Sequence, residues 1–177
     1  MNINIYGSTG IIGKKTLSLI DKNFQNLNVD LLCAKSNLKL LIQQIKKYKP
    51  KYAFLYDHEK FSNFDYKIGK TKFLNLDELK SFLSSSKSNL SLLAISGYKS
   101  LYFLENIIQN TDNLGIVSKE AIVSAGHIFQ KENFFNKTNI FPIDSEHFSL
   151  FELLNKINSK TKIKKVILTA SGGPFYK

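Results

Sequence analysis

A glycine-rich turn, Gly7-Ser8-Thr9-Gly10-Ile11-Ile12-Gly13, constrains the fold more than any other feature of the chain. It lies between an apolar strand-like segment at 2–6 and a helical pattern at 11–22. Glycines at such a junction allow a tight turn and let a pyrophosphate approach the backbone. The helix start then adds unpaired N–H groups and the positive end of a dipole. The spacing is GxxGxxG and not GxGxxG, so the strand–turn–helix context carries the reading more than the glycine count does. A purely structural turn is the alternative.

The same alternation continues along the chain. Strand candidates lie at 2–6, 29–34, 52–56, 90–95, 114–117, 139–141 and 165–170. Helical patterns lie between them at 11–22, 38–49, 76–84, 101–109, 119–130 and 145–157. Leu38, Leu41, Ile42 and Ile45 place an apolar stripe on one helix face. Short connections between alternating strands and helices predict an α/β fold, a Rossmann-like doubly wound parallel sheet with helices on both sides. Residues 59–75 break the rhythm, and Ser84-Ser85-Ser86-Lys87-Ser88 reads as an interior turn. The organisation shifts near 142, which divides the chain into a cofactor-binding domain at 1–141 and the start of a second, catalytic domain at 142–177.

Charge is the feature that most invites a different function. The net charge is +11, yet all 25 basic residues are lysine and they are spread along the chain. Nucleic-acid recognition favours arginine for bidentate contacts, so no nucleic-acid partner is expected. No apolar run approaches the roughly 20 residues of a membrane span, and no membrane partner is expected either. The single cysteine, Cys33, excludes an internal disulfide framework and fits a reducing, cytoplasmic setting. Placed in a strand, it reads as a small core hydrophobe. His58 and His127 have no metal-spaced partner.

Three further strand ends carry chemistry. After the second strand, Lys35-Ser36-Asn37 offers a cation, a hydroxyl and an amide where NAD-preferring folds carry an acid. That set suits a ribose 2′-phosphate and predicts NADPH over NADH, while Ser36 or Asn37 also suits a helix N-cap. Ser118-Lys119-Glu120 follows another strand, where Lys119 can meet an anion and Glu120 sits on its own helix dipole. Phe141-Pro142-Ile143-Asp144-Ser145-Glu146-His147 sets two carboxylates two residues apart. In extended backbone Asp144 and Glu146 would project to the same side, as a hard divalent cation requires. Asp144 can instead cap the helix that starts at Ser145. Near the end, Ser171-Gly172-Gly173 offers a hydroxyl and open N–H groups, a plausible anion nest.

In this order, GSTGIIG at 7–13, AKSN at 34–37, SKEAIVSAG at 118–126, PIDSEH at 142–147 and LTASGGPF at 168–175 closely resemble the 1-deoxy-D-xylulose 5-phosphate reductoisomerase family. The resemblance spans all 177 residues and less than half of the family's length. It implies that Thr9, Gly10, Ile11 and Ile12 contact NADPH and that Lys35, Ser36 and Asn37 receive its adenosine phosphate. Ser118 stands where the family has a cofactor-binding Asn, Lys119 matches a substrate-binding Lys, and Glu120 a cofactor-side Glu. Asp144 and Glu146 match ligands of Mg²⁺, Mn²⁺ or Co²⁺; Ser145, Glu146 and Ser171 match residues that contact a phosphorylated sugar substrate.

The implied chemistry is a skeletal rearrangement followed by hydride transfer from NADPH, giving 2-C-methyl-D-erythritol 4-phosphate for isoprenoid synthesis. The resemblance also implies a homodimer at full length. It places the third carboxylate ligand, the lid and a C-terminal helical domain beyond Lys177, so the chain reads as an N-terminal fragment. Alternatives are a free-standing NADP-binding domain, another NADP-dependent dehydrogenase, or a basic nucleic-acid-binding module. The dehydrogenase class with a catalytic cysteine fits poorly, since Cys33 lies within a strand.

Overall fold

The computed structural model describes residues 1–61, 64–131, 137–158 and 161–168. Eight strands form one sheet in the order β4-β5-β3-β2-β1-β6-β7-β8. In chain order these are β1 (Asn2–Tyr6), β2 (Asn28–Ala34), β3 (Tyr52–Leu55), β4 (Lys67–Ile68), β5 (Thr71–Phe73), β6 (Ser88–Leu93), β7 (Thr111–Ile116) and β8 (Asn139–Pro142). All neighbours pair in parallel except β4 with β5, a short antiparallel hairpin turning at Gly69 within the stretch that broke the sequence rhythm.

The helices are α1 (Ile11–Asn23), α2 (Leu38–Tyr48), α3 (Leu76–Ser85), α4 (Leu101–Gln109), α5 (Lys119–Lys131) and α6 (Ser145–Lys156). Side chains alternate across each strand, so neighbouring residues feed two cores. Leu32 joins Ile3, Ile5, Leu17, Ile20, Leu41 and Ile45 beneath α1 and α2. Leu31 joins Leu79, Phe82, Leu104, Ile107, Ala121 and Ala125 beneath α3, α4 and α5. Both leucines are fully buried, each worth about 1.5–3 kcal/mol relative to exposure. The sheet is thus wound on both faces, and the winding reverses between β1 and β6. Open α/β sheets bind ligands at such a reversal, outside the carboxyl ends of the strands.

Local chemistry sets the element ends. Asn37 caps α2 by accepting from Leu40 N at 3.1 Å. Asn75 and Glu78 form a reciprocal capping box at the start of α3. α2 stops at Tyr48, one residue early, because Lys49 turns left-handed ahead of Pro50. β6 and β7 begin two and three residues before their apolar runs. There Ser88 Oγ lies 3.0 Å from Thr111 Oγ1, and Asn2 and Asn89 exchange backbone-to-side-chain bonds. Polar pairing extends these strands where hydropathy is silent.

One expected strand is corrected. Residues 165–168 form no strand and their side chains are exposed. A strand is defined by its ladder, and none of the described strands pairs with this stretch; residues 169 and 170 lie outside the described residues.

Candidate functional site

Gly7 ends β1 with φ +93°, a conformation that L side chains rarely adopt, and a Cβ there would meet Ala94 O at 2.5 Å. A Cβ on Gly13 would lie 2.6 Å from Ser8 Cα, so the first turn of α1 packs directly on the loop. The loop is tied to β2 by bonds from Gly7 N and Ser8 N to Cys33 O, at 2.9 and 2.8 Å. From below, Gln44 of α2 clamps it: Nε2 donates to Ser8 O at 2.9 Å and accepts nothing, while Ser8 Oγ donates to Oε1 at 2.8 Å. α1 begins after Gly10 with no side-chain cap and no acid in its first turn. Among the described residues no side chain caps its leading N–H groups, as an incoming phosphate needs.

That cleft has a volume of about 340 Å³ and is lined by Tyr6, Gly7, Thr9, Gly10, Cys33, Ala34 and Lys35 from the β1 and β2 ends. Phe54 and Tyr56 line it from β3, and Ala94, Ile95, Ser96, Lys99, Tyr102 and Phe103 from the stretch after β6. Lys35, Ser36 and Asn37 are exposed at the β2 end, with the Asn37 side chain already capping α2. Burial pushes the Cys33 thiol and the Tyr6 hydroxyl to higher pKa, so both stay neutral in the cleft floor. The sequence reading missed Tyr56 and Lys99. The rule that ligands gather at the strand-order reversal, applied to the turn Ile95–Lys99 after β6, could have found Lys99.

A second group assembles two strands away. β8 runs parallel beside β7, and Ile143 N donates to Ile116 O at 2.7 Å. This register sets the starts of α5 and α6 side by side. Lys119 is exposed and close enough to act on both Glu120 and Asp144. Glu120 is held below the usual carboxylate range by its own backbone N–H first and by Ser118 next. Ser118 is buried, donates to Glu120 Oε2 at 2.9 Å, and caps α5 by accepting from Ala121 N at 3.3 Å. Its only proton is used inside the protein.

Asp144 and Glu146 do not share an extended strand. Asp144 is the N-cap of α6, accepting from His147 N at 3.3 Å, and Glu146 stands on the first helical turn, where Ser145 Oγ donates to Oε2 at 2.8 Å. Asp144 thus caps α6, and its carboxyl still feels the adjacent Glu146 side chain. Burial raises the Asp144 pKa. The His147 N–H, the adjacent Glu146 side chain and the charges of His147 and Lys119 outweigh it and leave the carboxyl lowered. His147 Nδ1 lies 3.0 Å from Asp144 Oδ1. Two hard oxygen donors, with no lysine in ion-pair contact among the described residues, fit part of a divalent-cation shell. Among the described residues no group of three or more metal-ligating side chains forms. Ser171 lies outside the described residues.

Known proteins give the same picture. The family model for 1-deoxy-D-xylulose 5-phosphate reductoisomerase matches residues 3–126, and that for the C-terminal domain of the same family matches 140–177. The reductoisomerase of Pelagibacter ubique is 38% identical over 98% of this chain and 45% of its own length. The chain therefore spans about half the length of the curated relatives it matches. The solved Zymomonas mobilis reductoisomerase in complex with NADPH superposes with a TM-score of 0.75 at 26% identity, covering 85% of this chain and 40% of that one. A solved DOX-P reductoisomerase with fosmidomycin and magnesium gives 0.71 at 25% identity, covering 83% and 38%. The switch-point cleft and these matches converge: the chain belongs to the 1-deoxy-D-xylulose 5-phosphate reductoisomerase family.

Proposed function

We propose that this chain supplies the NADPH-binding domain, at 1–141, and the first metal- and substrate-binding elements, at 142–177, of an enzyme converting 1-deoxy-D-xylulose 5-phosphate to 2-C-methyl-D-erythritol 4-phosphate in isoprenoid synthesis. One observation carries the reading: the uncapped glycine turn of β1 and the Lys119–Asp144–Glu146 group open at the same carboxyl edge of one parallel sheet. A cofactor and a metal-bound substrate can meet only if their sites share that edge. The NADPH and magnesium named for the solved relatives support both assignments.

In this proposal Gly7, Gly10 and Gly13 keep the turn free of side chains; Gly10, whose N–H closes the turn onto Gly7 O, lets the pyrophosphate approach, and the N–H groups at Thr9, Ile11 and Ile12 receive it. Lys35, Ser36 and Asn37 receive the adenosine phosphate. Ser118 acts mainly by fixing Glu120 and the start of α5, and Glu120 then faces the cofactor side. Asp144 and Glu146 hold Mg²⁺, Mn²⁺ or Co²⁺, and Ser145, Glu146, Lys119 and Ser171 bind the phosphorylated sugar. NADPH supplies the hydride, and the divalent ion supplies Lewis acidity at the substrate's oxygens. Lys119, beside Asp144, offsets the negative charge that gathers there.

The setting is cytoplasmic and the working form a homodimer; among the described residues no helix is long and apolar enough to cross a membrane. Residues 1–177 alone hold two carboxylates of the metal shell and do not turn over. Calorimetric titration with NADPH and NADH, together with Mg²⁺-dependent NADPH oxidation by the whole gene product, tests the assignment. Conversion of the substrate by the 177-residue chain alone, or equal affinity for the two cofactors, would overturn it.

A further inference from the structure

The cofactor cleft contains a cation that the glycine and Lys35 motifs do not account for. Lys99 sits in the short 3-10 turn Tyr98–Ser100, between β6 and α4. β6 and β2 flank β1, so Lys99 and Lys35 approach the cleft from either side of the central strand. Lys99 Nζ lies 5.8 Å from the centroid of the Tyr56 ring. Tyr56, just past the end of β3, lines the cleft and is 51% exposed. Such a seat limits where a flexible ammonium can go.

Neither Lys35 nor Lys99 lies within ion-pair distance of a carboxylate among the described residues. The nearby acid, Asp57, is held by Lys60 at 2.8 Å. Its pKa is lowered first by that bond and further by the charges of Lys60, Lys35 and Lys99. Two uncommitted ammonium groups around an open aromatic ring suit a flat base joined to a multiply charged anion. A phosphomonoester carries more than one negative charge near neutral pH, more than Lys35 alone can balance.

We infer that Lys99, seated on Tyr56, is a second cation for the ribose 2′-phosphate and sets the preference for phosphorylated over unphosphorylated nicotinamide cofactor. This rests on the NADPH reading above and adds to it a residue from the opposite side of β1.

Affinities of the whole gene product for NADPH, NADH, 2′,5′-ADP and 5′-AMP test it, in the unsubstituted protein and in Lys99→Met, which keeps the apolar stem. Dissociation constants for NADPH and 2′,5′-ADP should rise about tenfold, the worth of one charge-assisted hydrogen bond. Those for NADH and 5′-AMP should stay within about twofold, and Lys99→Arg should retain the preference. If the unsubstituted protein prefers NADPH and Lys99→Met keeps the full preference, the inference fails while the cofactor reading stands. Equal weakening of all four ligands assigns Lys99 a merely structural part and also overturns it. No preference in the unsubstituted protein removes the cofactor reading, and the inference with it.

Discussion

Gln44 and Ser8, 36 residues apart, hold each other through two buried hydrogen bonds, one to the Ser8 carbonyl at 2.9 Å and one from its hydroxyl at 2.8 Å. An amide is the natural partner because it donates and accepts at once. Gln44→Leu leaves the Ser8 groups buried without partners and should cost about 1–3 kcal/mol in urea unfolding. NADPH affinity should fall with it, because the loop loses its support. A stability change below about 0.5 kcal/mol would show that water replaces the amide without loss.

Gly13→Ala should abolish NADPH binding more completely than Gly10→Ala. The new methyl at 13 meets Ser8 Cα at 2.6 Å, backbone that cannot move aside, whereas at 10 the nearest atom is Gly7 O at 3.3 Å. Titration of both variants checks the order; equal affinities would mean that the turn can shift bodily.

Asp144→Asn separates the cap from the carboxylate. Asparagine caps helices as well as aspartate does, so thermal stability should change by less than about 0.5 kcal/mol. Losing a metal ligand removes several kcal/mol of charge stabilisation, so Mg²⁺-dependent turnover of the whole gene product should fall by about a hundredfold or more. Retained turnover would leave Asp144 a cap and nothing else.

Acid should unfold the chain in a defined direction. Asp21, Asp57, Glu78 and Asp112 are lowered by their lysine partners, and Glu120 by its own N–H, from ordinary values of 3.8 for Asp and 4.5 for Glu. A carboxylate lowered in the folded state binds protons first when unfolded. Its contribution is present above its ordinary pKa and is lost as pH falls through the folded value. Melting temperature should hold steady from about pH 7 to 5 and drop below that. The drop should shrink in high salt, since most of these pairs are exposed. A melting temperature unchanged at about pH 3 would sink the linkage.

Ser118→Ala removes the α5 cap and should cost about 0.5–2 kcal/mol. Ser118→Asn, restoring the amide that the family resemblance implies, should keep the cap. Thermal unfolding of the two variants distinguishes them; equal loss in both would mean that the buried site has no room for the larger cap.

Much of the architecture was legible because β1, β2 and β3 each carry a cluster of apolar residues of strand length, beside a turn or a helical pattern. β1 and α4 have the bounds read from periodicity. What escaped depended on partners far away in sequence. Ser88 and Thr111 extend strands only because they meet each other across the sheet. Lys49 ends α2 through a left-handed backbone that hydropathy does not encode. Asp144 and Glu146 stand out in the sequence by residue type, but the backbone that carries them is a cap and a first helical turn, not the extended strand their spacing suggests. Lys99 and Tyr56 carry no motif, and only the winding of the sheet makes them neighbours.

The position of β1 between β2 and β6 also sets an order of events during synthesis. The glycine turn leaves the ribosome well before its wall at Ala94 and before Leu90–Leu93, which pair with Ile3–Tyr6. At roughly 5–20 residues per second, several seconds separate the two. Through that interval the turn has β2 on one side and nothing on the other, so no nucleotide can be gripped before the strand that follows α3 has joined the sheet.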